Sequence, residues 1–292
     1  MKIYSIIVCY YPNIENLQSL CNVLSINTSV ILLDNTDAIG SIEQNELFSD
    51  YKVVSFCENK GIAYAQNKGI QIAISDEADV IVFFDQDSMI DTYFLDKLLQ
   101  TIQLGTPNIV VPIQVDSRTG QHSPIYKFNS WGILNKYSST DLKEPCDVDL
   151  IIASGCAATV ETFIVAGGMD EDYFIDYVDT EWGIRCKKIG IPIKAIPSVK
   201  MEHTIGERTI NMGLIQLYIH SPTRTYYKIR NCFIFFRKSN APIIYKLKDV
   251  ISTLVHSIII LTFVKDKTNY LNHYYFALVD GLRGKVGKRI LP

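Results

Sequence analysis

The chain has 292 residues, 48% of them hydrophobic and 20% charged, which supplies a sizeable core and excludes a disordered or low-complexity protein. Its seven cysteines, an odd number with no Cys-x-x-Cys pair, exclude a disulfide framework and a zinc knuckle and fit the reduced thiols of a cytosolic protein. The net charge of −3 conceals an asymmetry: from Arg224 onward there are 13 Lys and Arg against 3 Asp, so a +10 tail follows a −13 body.

Ile3 to Cys9 reads as a first buried strand, broken by Tyr10-Tyr11-Pro12. It is too short and too β-like for a secretory leader, and none is expected. Asn13 is placed to cap a helix whose apolar positions are Leu17, Leu20, Cys21 and Leu24. Ser29 to Leu33 is a second strand, with Asp34-Asn35-Thr36 at its carboxyl end, and Lys52 to Phe56 a third. Glu58-Asn59-Lys60-Gly61 then turns into a helix of small residues through Asn67 and Gly69. Val80 to Phe84 is a fourth strand, apolar throughout, as expected when both faces of a sheet are covered. The alternation of strand and helix predicts a doubly wound α/β sheet, Rossmann-like and mostly parallel, whose ligands bind beyond the strand carboxyl ends.

The central strand runs into Asp85-Gln86-Asp87. In an extended chain alternate side chains share a face, so Asp85 and Asp87 are expected to point the same way. Two carboxylates there suit a hard divalent cation and the phosphates it carries, although Asp-x-Asp is also a common solvated turn. Tyr10, Asp34 and Asn59 fall at the same edge. No Gly-x-Gly-x-x-Gly turn follows the first strand and no Walker loop is present, which argues against a dinucleotide or P-loop site.

Further on, a helix is expected over Asp91 to Gln103 and a strand over Asn108 to Pro112. Ser117 to Tyr137 is polar and reads as a loop or hairpin. Cys146 to Ala153 reads as a strand leading into Ser154-Gly155, where small residues allow close approach. A short helix over Glu161 to Ala166 stops at Gly167-Gly168. Asp179 and Glu181 open a helix that runs to about Lys188 and ends at Gly190. The helix dipole alone favours carboxylates there; a general base for an incoming hydroxyl is the functional reading. Ile193 to Ile196 is another strand, and His203 becomes a ligand only if its loop folds back over Asp87.

These residues resemble inverting family 2 glycosyltransferases with the GT-A fold, the bacterial rhamnosyltransferases in particular. The resemblance covers about the first 240 residues. It rests on Tyr10-Tyr11-Pro12, Asp34-Asn35, Asn59-Lys60-Gly61 with Asn67 and Gly69, Asp85-Gln86-Asp87, Ser154-Gly155, and Phe174 through Trp182 with Arg185 and Gly190. His203, Gly206 and Tyr226-Tyr227-Lys228-Ile229-Arg230-Asn231 also fit; Cys9 departs from the usual Thr. The resemblance implies a nucleotide-sugar site at Tyr10, Tyr11, Asp34, Asn59, Gly61, Asn67 and Asp85. It implies Mg²⁺ or Mn²⁺ on Asp85 and Asp87, completed by His203, and Asp179 as catalytic base. Ser154, Gly155, Asp176, Glu181 and Trp182 would line the sugar or acceptor pocket. The implied donor is dTDP-L-rhamnose and the acceptor a glycan, lipid-linked, of O-antigen or another surface polysaccharide. A nucleotidyltransferase is disfavoured, because no Gly-rich basic loop follows the first strand. A non-catalytic binding domain is disfavoured by the presence of all three aspartates.

The domain boundary is expected at 223/224. Beyond it, aromatic and aliphatic residues interleave with Lys and Arg, and Val250 to Val264 is strongly apolar. That run is shorter than the ~20 residues a membrane-spanning helix requires. An interfacial helix on an anionic membrane is expected, so that the protein is peripheral on the cytoplasmic side of the plasma membrane; packing on the body or on another subunit is the alternative. No nucleic-acid module is present.

Overall fold

A computed structural model describes residues 1–37, 42–117, 119–203, 208–212 and 215–289, with the side chains of 203, 208–212 and 215–218 outside the description. In chain order the elements are β1 (Ile3–Cys9), α1 (Ile14–Leu24), β2 (Ser29–Asp34), β3 (Lys52–Ser55), α2 (Ile62–Ser75), β4 (Val80–Asp85), α3 (Phe94–Leu98) and β5 (Ile109–Asp116). A hairpin of β6 (Ile125–Phe128) and β7 (Leu134–Tyr137) follows, then β8 (Cys146–Asp147), β9 (Ala157–Thr159), α4 (Val160–Ala166), α5 (Val178–Lys188) and β10 (Ile193–His203). The chain continues with β11 (Arg208–Met212), β12 (Ile215–Ile219), α6 (Pro222–Lys238), α7 (Ile243–Phe263) and α8 (Lys267–Arg283).

Among the described residues the main sheet has eight strands in the order β3-β2-β1-β4-β9-β5-β10-β8. β9 runs antiparallel between β4 and β5, and β8 antiparallel along β10; the other neighbouring pairs are parallel. Register aligns the carboxyl ends of the first four strands: Cys9 lies opposite Asp34, Val8 opposite Asp85, and Asp34 opposite Ser55. The period of two divides each strand between two cores. Ile6, Leu33, Ile81 and Phe83 face the side covered by α2, α4 and α5, while Ile7, Leu32, Val82 and Phe84 face the side covered by α1 and α3. Covering on both faces is what makes the central strands continuously apolar.

Asn13 caps α1 as its side chain requires, accepting the Asn16 amide at 3.0 Å. Elsewhere the elements differ from the sequence expectation. Only Cys146 and Asp147 of the 146–153 stretch join the sheet; Val148 and Ile151 are buried by packing, and a Cβ at Gly183 would lie 2.9 Å from Ile151. Past Val148, whose amide still donates to the Ile193 carbonyl of β10 at 3.0 Å, the apolar spacing reflects contact with α5 and not a ladder. α3 is shorter than expected and closes in a single 3₁₀ turn, whereas β10 extends to His203 past a bulge between Ile196 and Lys200.

The expected boundary at 223/224 falls inside the first turn of α6. Ile234 and Phe235 of α6 join the main core, and its other side forms a third cluster with α7 and α8 through Tyr226, Tyr227, Ile260, Tyr270 and Tyr274. The basic tail is therefore seated on the body.

Candidate active site

The site is built where β1, β2 and β4 end. β4 stops at Asp85, and the Ser88 amide donates to the Asp85 carbonyl at 3.1 Å, so Asp85-Gln86-Asp87 is a turn and not extended chain. Strand alternation therefore does not set the direction of Asp87. Gln86, which the sequence reading left without a role, bonds both backbone groups of Tyr10: it accepts the amide at 2.6 Å and donates to the carbonyl at 3.1 Å. That pair of hydrogen bonds locks the carboxylate turn to the end of β1. Asp85 is half-buried and Asp87 exposed.

Ser154 underpins the turn. Its hydroxyl accepts the Asp85 amide at 3.1 Å and lies 3.0 Å from the Ser88 hydroxyl, and it is almost fully buried. Gly155 has φ +78°, and a Cβ there would lie 2.6 Å from the Met201 sulfur, so the close approach belongs to packing under the site.

The preceding residue reaches the third carboxylate. Asp179 Oδ2 accepts the Ala153 amide at 3.3 Å, and Oδ1 accepts the Thr180 amide at 2.7 Å. Successive residues, Ala153 and Ser154, thus hold Asp179 on one side and Asp85 on the other. Burial raises the Asp179 pKa above the usual carboxylate range; the Thr180 and Ala153 amides oppose this, and the charges of Asp176 and Asp85 add to it. Asp85 and Asp179, far apart in sequence, are thereby brought within electrostatic reach of each other.

The loop carrying Asp179 is strained. Phe174 sits at φ 64°, ψ −60° with the Ile175 amide donating to the Tyr173 carbonyl at 2.7 Å, a γ-turn of the rare form. Asp176 and Tyr177 follow at φ 61° and 66°. Helices α6 and α7 hold it. Asn231, fully buried, donates to the carbonyls of Tyr173, Ile175 and Asp176 at 2.8, 2.7 and 3.3 Å. Arg224 donates to Asp176 Oδ1 at 3.1 Å, leaving Asp176 Oδ2 buried without a partner among the described residues. The Tyr177 hydroxyl donates to Asp249 of α7 at 2.7 Å.

At the nucleotide edge Tyr10 and Tyr11 are 44% and 58% exposed, with ring centroids 4.8 Å apart. These are free aromatic surfaces suited to a flat base. Asp34 is fully buried and accepts the Thr36 amide, so it shapes the turn from which Thr36 accepts the Tyr11 amide. The Asn59 side chain accepts from Asn35 and from the Gly61 amide, and its backbone amide donates to Asp37 at 2.8 Å. That bond is the largest cause holding the Asp37 carboxyl below its usual range. Gly61 has φ +91°, and a Cβ there would lie 2.6 Å from the Phe174 ring. Gly61→Ala is expected to cost about 2 kcal/mol or more through strain and overlap, read as a fall of several degrees in Tm.

Some predicted residues turn inward. Asn67 is engaged with Met169 and Glu171, Trp182 is fully buried and donates to the Gly167 carbonyl while stacking on Phe163, and Glu181 pairs with Arg185. Their geometry is that of scaffold beneath the cleft. The β10 backbone ends at His203, paired with Asp116, and a bridge between Glu202 and Met89 sets that end beside the carboxylate turn. The His203 side chain and Gly206 lie outside the described residues.

Asp85 and Asp87 give two hard oxygen donors on an open turn, and no group of three or more His, Cys, Asp or Glu is gathered among the described residues. A two-carboxylate set fits Mg²⁺ or Mn²⁺, which commonly takes its other ligands from substrate phosphates and water.

Residues 5–162 match the family model described as glycosyl transferase family 2. The chain belongs to that family. This glycosyltransferase is 36% identical over 293 residues to a dTDP-rhamnosyl transferase, RfbF, of Shigella flexneri, covering 98% of this chain and 97% of the relative. Solved structures share its fold. S. aureus TarS 1–349 in complex with UDP-GlcNAc gives a TM-score of 0.56 at 14% identity, over 98% of this chain and 82% of that one. GalNAc-T7 with UDP, GalNAc and Mn²⁺ gives 0.57 at 12% identity over 87% of this chain; the glycosyltransferase spans 57% of that protein's chain. The architecture is GT-A, with the C-terminal helices added.

Proposed function

We propose that the protein transfers L-rhamnose from dTDP-L-rhamnose to a hydroxyl of a glycan acceptor, with inversion at the anomeric carbon. The observation that carries this reading is the convergence of Asp179 with Asp85 across the Ala153-Ser154 segment. The near-full-length relative supports the choice of sugar. Tyr10 and Tyr11 stack on the base, and the Asn59-Gly61 turn packs against the nucleoside. Asp85 and Asp87 would hold Mg²⁺ or Mn²⁺, which when bound neutralises charge on the departing diphosphate.

Asp179 does the proton chemistry. A half-buried carboxylate whose pKa is raised by desolvation is a stronger base than a fully solvated one and accepts the acceptor hydroxyl's proton as the oxygen attacks. Asp176, held by Arg224, adds its charge beside the base and supports the raised pKa. One base opposite the leaving group gives inversion, so a β-linked donor yields an α-L-rhamnoside. In this reading the acceptor is a lipid-linked surface polysaccharide, and the enzyme works peripherally on the cytoplasmic face of the plasma membrane.

The test is a panel of nucleotide sugars scored by Mn²⁺-dependent rise in Tm, since a ligand that binds only the folded state stabilises it. dTDP-L-rhamnose is expected to give the largest shift. A larger shift with a UDP-sugar, and none with dTDP-L-rhamnose, would overturn the donor assignment. Asp87→Ala is expected to weaken donor binding about tenfold or more when Mn²⁺ is present and little when it is absent. Calorimetric titration of donor with and without Mn²⁺ checks this.

A further inference from the structure

Helix α7 has an outer face that nothing among the described residues covers. Ile244, Leu247, Ile251, Val255 and Ile258 recur at steps of three and four, which sets them in one stripe, and each is between 45% and 64% exposed. The opposite face is fastened to the body. Thr253, Ser257 and Ile260 are buried, and Asp249 accepts the Tyr177 hydroxyl at 2.7 Å. A helix apolar on the side turned away from its own protein marks an interaction surface.

Charge selects the partner. Several cations of the basic region are engaged internally: Arg230 with the carbonyls of Tyr173 and Gly287, Arg237 with that of Gly281, Lys238 with Asp170 and Asp172, and Lys285 with Asp280. Lys248 on α7, Lys265 and Lys267 just beyond its end, and Arg283 on α8 remain exposed. Of the three acids in the region, Asp249 and Asp280 are bonded to Tyr177 and Tyr226, which leaves Asp266 at the surface. The stripe is thus bordered by positive charge. Two copies meeting through this face would bring those cations together, and like-charge juxtaposition opposes that pairing.

We propose that the α7 stripe docks on an anionic lipid bilayer, with the helix lying in the interfacial plane. No helix among the described residues is long and apolar enough to cross a membrane. Aliphatic side chains enter the acyl boundary while Lys248, Lys265 and Lys267 meet the headgroups. Because the inner face of the same helix bonds Tyr177, two residues before Asp179, docking holds the loop of the base roughly one helix diameter, about 10 Å, from the lipid surface. The inference depends on the glycosyl-transfer reading only for what the bilayer presents there, a lipid-linked acceptor.

Sedimentation of the full chain with vesicles tests it. Wild type is expected to sediment with phosphatidylcholine vesicles containing phosphatidylglycerol, to remain in solution with pure phosphatidylcholine, and to be released by salt. The Ile251→Glu/Ile258→Glu variant is expected to lose about tenfold or more of its partitioning, with its solution mass and its Mn²⁺-dependent donor hydrolysis unchanged. Failure of wild type to bind the anionic vesicles overturns the proposal, as does a double variant that binds like wild type. A wild-type dimer that becomes a monomer in the variant overturns it too, and assigns the face to self-association. Donor hydrolysis separates the two readings. If hydrolysis persists while vesicle binding fails, only the docking falls; if wild type shows no hydrolysis, the transfer reading falls.

Discussion

Asp179→Asn is expected to reduce transfer about 10³-fold or more while donor affinity stays within about twofold of wild type, because the amide keeps the shape and loses the base. The same variant is expected to unfold no earlier than wild type at neutral pH. Burial raises the Asp179 pKa in the folded state, so the folded chain binds this proton more tightly than the unfolded chain does. Stability therefore falls as pH rises from the ordinary carboxylate value, about 4, to the raised folded value, and stays lowered above it. Removing the charge removes that penalty at neutral pH and changes little in acid. The weak 3.3 Å bond from Ala153 is lost in exchange, which limits the gain. Rapid-quench turnover, donor titration and Tm against pH check the three parts. Wild-type kcat should also decline on the acid side below the raised pKa, and that limb should be absent from the residual activity of the variant. Normal turnover by Asp179→Asn would remove Asp179 from the chemistry.

Asn231→Ala is expected to have the second large effect, although Asn231 touches no substrate. One amide group holds three carbonyls of a loop in which three non-glycine residues adopt positive φ. Leaving a buried carbonyl unsatisfied costs about 1–3 kcal/mol, and strained dihedrals persist only where surroundings fix them. The expected loss is about 3 kcal/mol of stability and about 10²-fold in kcat, the latter because Asp179 loses its alignment. Donor affinity should fall much less than kcat, since Tyr10, Tyr11 and Asp85 lie outside this loop, which meets the donor side where the Ile62 amide donates to the Phe174 carbonyl. A purely structural role would lower Tm and leave kcat per folded molecule intact. The split between kcat and donor affinity, measured at a temperature where the variant is folded, decides between them.

The parts of the site that could be read from residues are those carried by local rules. Continuous apolar runs identified β1, β2 and β4, because a strand covered on both faces has no polar side to show. The Asn13 cap, and the helix from Val178 to Lys188 ending before Gly190, follow from backbone chemistry within a few residues. What failed to be legible was long-range. The 146–153 stretch looked like a strand because packing against Gly183 and a sheet ladder ask for similar side chains. Trp182 and Asn67 have types suited to binding, yet they are engaged by partners 15 and 102 residues away. Gln86 looked like a spacer between two aspartates until the end of β1 was set beside it.

The sequence by itself determined β1, β2 and β4, the edge at which they end, and the three aspartates worth testing, since buried apolar runs and carboxylates at the ends of elements are properties of short segments. Only the tertiary structure decided that Ala153 and Ser154 join Asp179 to the carboxylate turn, that Asn231 and Asp249 hold the loop before Asp179, and that one side of α7 is left bare among the described residues. Those relations depend on which backbone groups meet after folding. A hydrogen bond between residues 26 or 58 positions apart leaves no periodic trace in the chain that forms it.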